Sequence, residues 1–436
     1  MKGYSFIFNV LVAIFLASCK PARVAMTPAQ QLKQPGTAFP RTDADFRDLL
    51  TREAPDLRPV LTDGERQVQV IFTRIDRKKD NAPNFSHFYY NVQPDRYFYP
   101  ASTVKMPVAV LALQKLHELQ IPGLDRNTTM ITEASFNGQT PVYNDPSSPD
   151  GRPTISHYIK KIFLVSDNDA YNRLYEFLGQ EYINKELHKR GYDSAQIIHR
   201  LQVALNEEEH RATNPITFYD SASQVLHRQP LVKSSLPYHP RLTRLGKGFI
   251  RQGKLVEEPF DFSQKNRLTL ADLHSIQMSV LFPGSVPQGQ RFNLSEDDYR
   301  FLYRYMSMLP RESDFPSYDS TYEDAYVKFL LYGGSGPIED SSIRIFNKVG
   351  DAYGFLTETA YVVDFRSGVE FLLSATIYCN SDGIFNDDQY EYKTVGFPFL
   401  KALGKAIYTH ELQRKRRHKP DLSPFRFSYS AAQKGQ

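Results

Sequence analysis

The sequence predicts an α+β fold, an antiparallel sheet flanked by helices. Three observations lead there. Val68, Val70 and Phe72 alternate with polar residues, and after the turn Asn81-Ala82-Pro83-Asn84 a second extended run spans Phe85 to Val92, which together read as a hairpin. Helical segments fill much of the middle of the chain. Near the C-terminus three strand patterns follow one another closely, the signature of an antiparallel meander.

Taken in order, residues 1–18 read as an export leader. Met1-Lys2 supplies a positive start, and Phe6 to Leu16 form an apolar core interrupted only by Asn9, too short to span a bilayer. Leu16-Ala17-Ser18-Cys19 follows and resembles the lipobox of bacterial lipoproteins, in which the cysteine is lipidated. Cys19 is therefore the expected lipidation site, and the protein is expected in a bacterial cell envelope, periplasm-facing or on the outer surface, held to a membrane by its lipid rather than spanning it. Residues 19–62, rich in Pro, Gln, Thr and charge, read as a tether with one short helix near Asp45–Leu50.

The main domain is expected over 63–413. A helix should begin at Ser102 and run to about Leu119, stopped by Pro122-Gly123. After a loop to about residue 153, helices are expected from Thr154 to Val165, from Asp169 to Leu178 and from Tyr182 to Arg190, with Gly191 as a stop. Residues 207–266 are polar and proline-interrupted, and read as a partly extended insertion. Helices follow over Leu268–Leu281, with Thr269 as N-cap, over Ser295–Met308 and over 323–332. The meander comprises Ile343–Gly350, Thr357–Phe365 and, after the turn Arg366-Ser367-Gly368, Glu370–Tyr378. A last helix spans about Tyr392–Gln413. The segment 414–436 opens with Arg414-Lys415-Arg416-Arg417-His418-Lys419 and reads as a solvated basic tail.

Composition narrows the function. Hydrophobic content of 41% and charged content of 23% describe a globular protein, and a net charge of +4 over 436 residues gives no basis for nucleic-acid binding. The 11 histidines are scattered and no Cys or His spacing suits a metal site, so neither metal nor cofactor is expected. There are 2 cysteines. With Cys19 lipidated, Cys379 has no partner and reads as a buried structural thiol.

The chemistry gathers in three fragments. Ser102-Thr103-Val104-Lys105 places a hydroxyl at a helix N-terminus, where the partial positive charge favours an anionic nucleophile, with a lysine on the same face one turn on. Ser166-Asp167-Asn168 lies between two helices. Lys348-Val349-Gly350 lies on the strand that opens the meander. In this order they correspond to the S-x-x-K, S-D-N and K-T-G set of class A β-lactamases and penicillin-binding proteins. The sequence resembles that superfamily over most of residues 65–410. The continuation Lys105-Met106-Pro107-Val108, the extension Ser166-Asp167-Asn168-Asp169-Ala170 and the run Tyr353-Gly354-Phe355 add to the likeness.

The resemblance implies a β-lactamase/transpeptidase-like fold, an antiparallel five-stranded sheet flanked by helices plus an all-helical subdomain, with the site between them. It implies catalytic roles for Ser102 as nucleophile, Lys105 as its base, Ser166 as proton relay to the leaving nitrogen and Lys348 as its helper. Asn168 would hold Lys105 and a substrate amide, and backbone N–H groups of Ser102 and Asp351 would form the oxyanion hole. Gly350, Asp351, Gln202 and Asn206 complete the expected substrate-binding set. The substrate would be a β-lactam or a peptidoglycan-like small molecule.

Three departures stand out. Val349 replaces the usual hydroxyl residue, removing a carboxylate ligand. Thr357 stands where an arginine is expected, so Arg344 and Arg366 are the candidates to replace it. The E-x-x-L-N pattern that activates the deacylating water becomes Gln202-Val203-Ala204-Leu205-Asn206, and an amide is no base. Glu207, Glu208 and Glu209 read as a solvated acidic patch. The leading expectation is an acyl-enzyme hydrolase acting on a β-lactam or related amide. The alternatives are a penicillin-binding DD-peptidase or amidase with slow deacylation, favoured by Gln202, and a non-catalytic envelope lipoprotein, disfavoured by the complete set Ser102, Lys105, Ser166, Asn168 and Lys348.

Overall fold

The computed structural model describes residues 26–34, 37–237 and 241–429. The expected leader and Cys19 lie outside the described residues. A five-stranded, wholly antiparallel sheet forms the frame. Its strands are β1 (Gln69–Arg77), β2 (Pro83–Tyr90), β3 (Ile343–Ala352), β4 (Phe355–Asp364) and β5 (Val369–Tyr378), in the spatial order β3-β4-β5-β1-β2. The N-terminal hairpin thus docks beside the C-terminal meander, which closes one sheet from the two ends of the domain.

Side chains alternate between the faces of this sheet, so each face builds its own core. On one side Phe346, Tyr361, Val363 and Leu372 meet the helical part of the molecule. That part contains α2 (Lys105–Leu119), α3 (Ile155–Val165), α4 (Asn168–Leu178), α5 (Gln180–Lys189), α6 (Leu270–Leu281) and α7 (Glu296–Ser307). On the other side Ile345, Val349, Ala360, Val362 and Phe371 meet α1 (Ala44–Glu53) and α8 (Phe397–Gln413). Helix α2 is the hub: Met106, Val108, Ala109, Val110, Leu111 and Ala112 are all fully buried, consistent with a run that is apolar on every side. Helix starts follow local chemistry. Thr154, Asp167, Thr269 and Ser295 each cap a helix through a side-chain oxygen.

Three segments differ from the sequence reading. The expected tether is folded over residues 44–62. Phe46, Leu49, Leu50 and Leu57 are buried, and Phe46 stacks on Phe72 with ring centroids 5.7 Å apart. The apolar residues are few but share one face, which average composition hides. The expected basic tail packs down too. Arg414 donates to Asp76 at 2.5 Å and Arg416 to Glu411 at 2.9 Å, while Leu422 and Phe425 enter the main core. Residues 323–332 form turns rather than a helix. The amides of Phe329 and Leu330 donate to the buried Glu358 carboxylate at 3.0 and 2.6 Å, so they are withdrawn from any helical ladder. The insertion 207–266 holds a short helix, Glu207–Arg211, and several short strands, of which Ile216–Tyr219 pairs with both Thr129–Thr132 and Val225–Gln229. Cys379 is fully buried, and burial pushes its thiol up to about 12.

Candidate active site

Ser102 stands in a 3₁₀ turn, Ala101–Val104, that leads directly into α2. The chain enters this turn through Ala101 at φ 46°, a left-handed conformation that costs a non-glycine residue about 1 kcal/mol. Thr103 secures it, its amide and its hydroxyl donating to the Pro100 carbonyl at 3.0 and 2.6 Å. Gly350 on β3 lies against the same turn. A Cβ there would stand 2.7 Å from the Pro100 oxygen and 2.9 Å from the amides of Ser102 and Thr103. All three are backbone atoms, so only glycine lets the strand approach the serine turn this closely.

The break between α3 and α4 brings the second fragment to Lys105. Ser166 closes α3 in the left-handed region at φ 60°, and Asp167 opens α4 by accepting the Ala170 amide at 2.7 Å. Lys105 is fully buried. Its Nζ donates to the Ser166 carbonyl, to Asn168 Oδ1 at 2.6 Å and to Ser166 Oγ at 3.3 Å. From the sheet side, Lys348 donates to the same Ser166 Oγ at 2.8 Å and to the Val349 carbonyl at 2.9 Å. One hydroxyl therefore sits between two buried amines from different halves of the fold.

Burial sets the electrostatics. It pushes the Lys105 amine down to about 7, against the opposing pull of Asp167 and Asp351. Lys348 is driven well below the usual lysine range by burial and by the neighbouring Lys105. A lysine near 7 is roughly half neutral at physiological pH, the state in which it can accept a proton.

The remaining expected residues divide. Asn168 joins the cluster, and its Nδ2 donates to Gln202 Oε1 at 2.6 Å. Gln202 is thus placed on the site, at φ 56° on an exposed loop. Asn206 is not brought to the cluster by any hydrogen bond. It caps the helix Glu207–Arg211, accepting from Glu209 N at 3.0 Å, while Glu209 accepts from Asn206 N at 2.8 Å. The three glutamates are committed elsewhere: Glu207 pairs with Arg211, Glu208 with Lys233, and Glu209 closes the cap. Asp351 follows Gly350 on β3, and its carboxylate acts electrostatically on both Lys105 and Lys348.

Val349 carries a different meaning in the structure. Lys348 and Gly350 point to the serine side of β3, so by alternation Val349 points to the other face, where it is buried in the second core. A hydroxyl at this position would enter the core rather than the cleft. Neither arginine candidate is available. Arg344 forms a two-pronged bond to Glu312 at 2.8 Å on each arm, and Arg366 pairs with Asp340 at 2.9 Å. Thr357 shares a buried hydrogen bond with Thr376 at 2.8 Å.

The sequence reading missed a row of aromatic rings. Tyr318, Tyr322 and Tyr326 stack edge to face at 5.1 and 5.0 Å, and the first two pack against Leu164 and Val165, directly before Ser166. The signal was a tyrosine every fourth residue. Among the described residues, no group of three or more His, Cys, Asp or Glu is arranged to hold a metal ion.

Residues 54–228 match the model of the β-lactamase enzyme family. That stretch holds Ser102, Lys105, Ser166 and Asn168 and ends before Lys348, which the fold adds. No curated protein matches the sequence. Among solved structures, the chain is similar to a β-lactamase from Sphaerobacter thermophilus at 12% identity, with 84% of this chain and 99% of that one covered and a TM-score of 0.46. A β-lactamase from Burkholderia phymatum follows at 11% identity, 83% and 99% coverage and a TM-score of 0.45. One from Burkholderia ambifaria stands at 12% identity, 83% and 99% coverage and a TM-score of 0.44.

Proposed function

We propose that the protein is an exported, lipid-anchored acyl-transfer enzyme that opens a β-lactam or a related amide through an ester on Ser102. The observation that carries this reading is the Ser166 hydroxyl shared by Lys105 and Lys348 beside the Ser102 turn. Neutral Lys105 accepts the Ser102 proton as Oγ attacks the acyl carbon. The developing oxyanion is met by the backbone N–H groups of Ser102 and Asp351, each donor worth about 3 kcal/mol in such sites. Ser166 passes a proton to the departing nitrogen and is resupplied from the lysine pair, so the C–N bond breaks with its nitrogen neutral. Asn168 orients Lys105 and has one amide N–H left for the substrate, the other being held by Gln202. Lipid attachment at Cys19 in a bacterial envelope rests on the Leu16-Ala17-Ser18-Cys19 pattern alone, and loss of labelled fatty acid in Cys19→Ser would test it.

A second reading is favoured by Gln202. With an amide where a base would activate water, acylation outruns release and the protein behaves as a penicillin-binding DD-peptidase or amidase. Incubation with a penicillin, followed by intact mass and by β-lactam absorbance, separates the readings. Continuous turnover supports hydrolysis. A persistent adduct that Ser102→Ala abolishes supports slow deacylation. Absence of both across several β-lactams would overturn the acyl-enzyme proposal.

A further inference from the structure

The loop that carries Gln202 also walls a second space. His199, Leu205 and Asn206 from this loop, with Phe260 and Lys265 from the insertion, line a cavity of about 750 Å³. Its volume falls in the range of small-molecule sites. It adjoins the catalytic turn through aromatic contacts: His199 lies parallel to the Tyr99 ring, 6.2 Å away, and Tyr99 meets Tyr353 edge-on at 5.0 Å. Tyr99 is three residues before Ser102, and Tyr353 three after Gly350.

Two polar groups in this wall lack partners. His199 is 8% exposed, and its Nε2 is buried without a hydrogen-bond partner. Its Nδ1 bonds the Arg200 carbonyl at 2.7 Å, and a carbonyl only accepts, so Nδ1 carries the proton and Nε2 is a bare acceptor. Lys265 is half-buried, and among the described residues no carboxylate lies within ion-pair reach of it. Its ammonium stands about 6.0 Å from the Phe260 ring and 5.9 Å from the Tyr353 ring. The acidic neighbours are engaged or peripheral: Glu207 pairs with Arg211, Asp261 accepts from Ser263, and Glu258 lies exposed beside Arg244 and Arg251 at the rim. With His199 Nε2 closed off inside the wall, the unpaired cation in a space of ligand size matches a ligand that brings an anion.

We propose that this cavity is a second substrate subsite, in which Lys265 pairs with a carboxylate on an acylamino or peptide-like extension of the substrate. The subsite rests on the acyl-transfer reading, and it gives the site a charged-ligand preference that Val349, Arg344 and Arg366 do not supply.

The test compares two penicillins that differ only in a carboxylate on the acyl side chain. Acylation rates are read by stopped mass analysis in wild-type, Lys265→Gln and Lys265→Arg proteins. The proposal expects wild-type protein to prefer the charged penicillin, Lys265→Gln to shrink that preference about tenfold, and Lys265→Arg to keep most of it. An equal slowing of both penicillins, or an unchanged preference, overturns it. Should neither penicillin react with wild-type protein, the acyl-transfer reading on β-lactams fails by itself. The subsite is then judged by calorimetric titration with N-acetyl-glutamate: binding lost in Lys265→Gln and kept in Ser102→Ala supports it, and no binding to wild-type protein overturns it.

Discussion

Lys105, Ser166 and Lys348 form a hydrogen-bonded cluster fixed by two helices and a strand, whereas Gln202 reaches the same site from an exposed loop and holds it through a single bond to Asn168. On the proposed acyl-enzyme reading, the first group loads Ser102. The second is an amide, which offers no base. On that reading a buried cluster with a lowered lysine serves acylation, and release is left to a loop that presents an amide. The difference is the physical basis for expecting fast acylation and slow release.

The most severe way to break the comparison is at the nucleophile. Ser102→Ala should lower adduct formation by at least about 10³-fold with the fold intact, read by intact mass and circular dichroism. Lys105→Met should follow, with acylation reduced about 10²- to 10⁴-fold. The pH profile carries the sign. Lys105 acts as a base only when deprotonated, and burial sets it at about 7, so acylation should rise with pH through 7 and level off above it. A rate that is flat between pH 6 and 8 removes Lys105 from the base role.

Gly350→Ala tests whether backbone contact positions the nucleophile. The added Cβ would meet the Pro100 carbonyl and the Ser102 amide. Acylation should fall about 10²-fold, since small misplacements of reacting groups cost on that order. Gln202→Glu sharpens the comparison from the other side. A carboxylate there can still accept the Asn168 amide and adds a base, so release should quicken about tenfold or more while acylation changes little. The lifetime of the adduct by mass measures it.

Val349→Thr should have the smallest effect on chemistry. The side chain lies in the core beyond β3, so the hydroxyl meets no substrate and acylation should change less than about threefold, while burying it costs about 1–3 kcal/mol in denaturant unfolding. A large gain in activity would show that Val349 faces the cleft after all.

Much of this was legible in the chain itself. The hairpin, the meander and most helix starts follow from alternation and capping residues that act over a few positions, and the serine, lysine and asparagine fragments carry their chemistry in residue type and order. The aromatic row from Tyr318 to Tyr326 escaped because its edge-to-face contacts form along turns and irregular chain, and the helix expected over 323–332 is absent where Phe329 and Leu330 give their amides to Glu358 from another strand. The capping role of Asn206 was not read, because an asparagine three residues before a glutamate suits a helix cap as well as a substrate pocket.

What the sequence alone determined is which groups could react: a serine at a helix start, two lysines and an Asn between helices, and a glutamine in place of a base. Residue identity fixes such potential. Only the tertiary structure decided that Lys348 and Lys105 share the Ser166 hydroxyl, that Val349 turns to the core, that Arg344 and Arg366 are spoken for and that Lys265 is left unpaired. Those outcomes depend on which long-range neighbours compete for each charge and hydrogen bond, and burial then lowers both lysine amines.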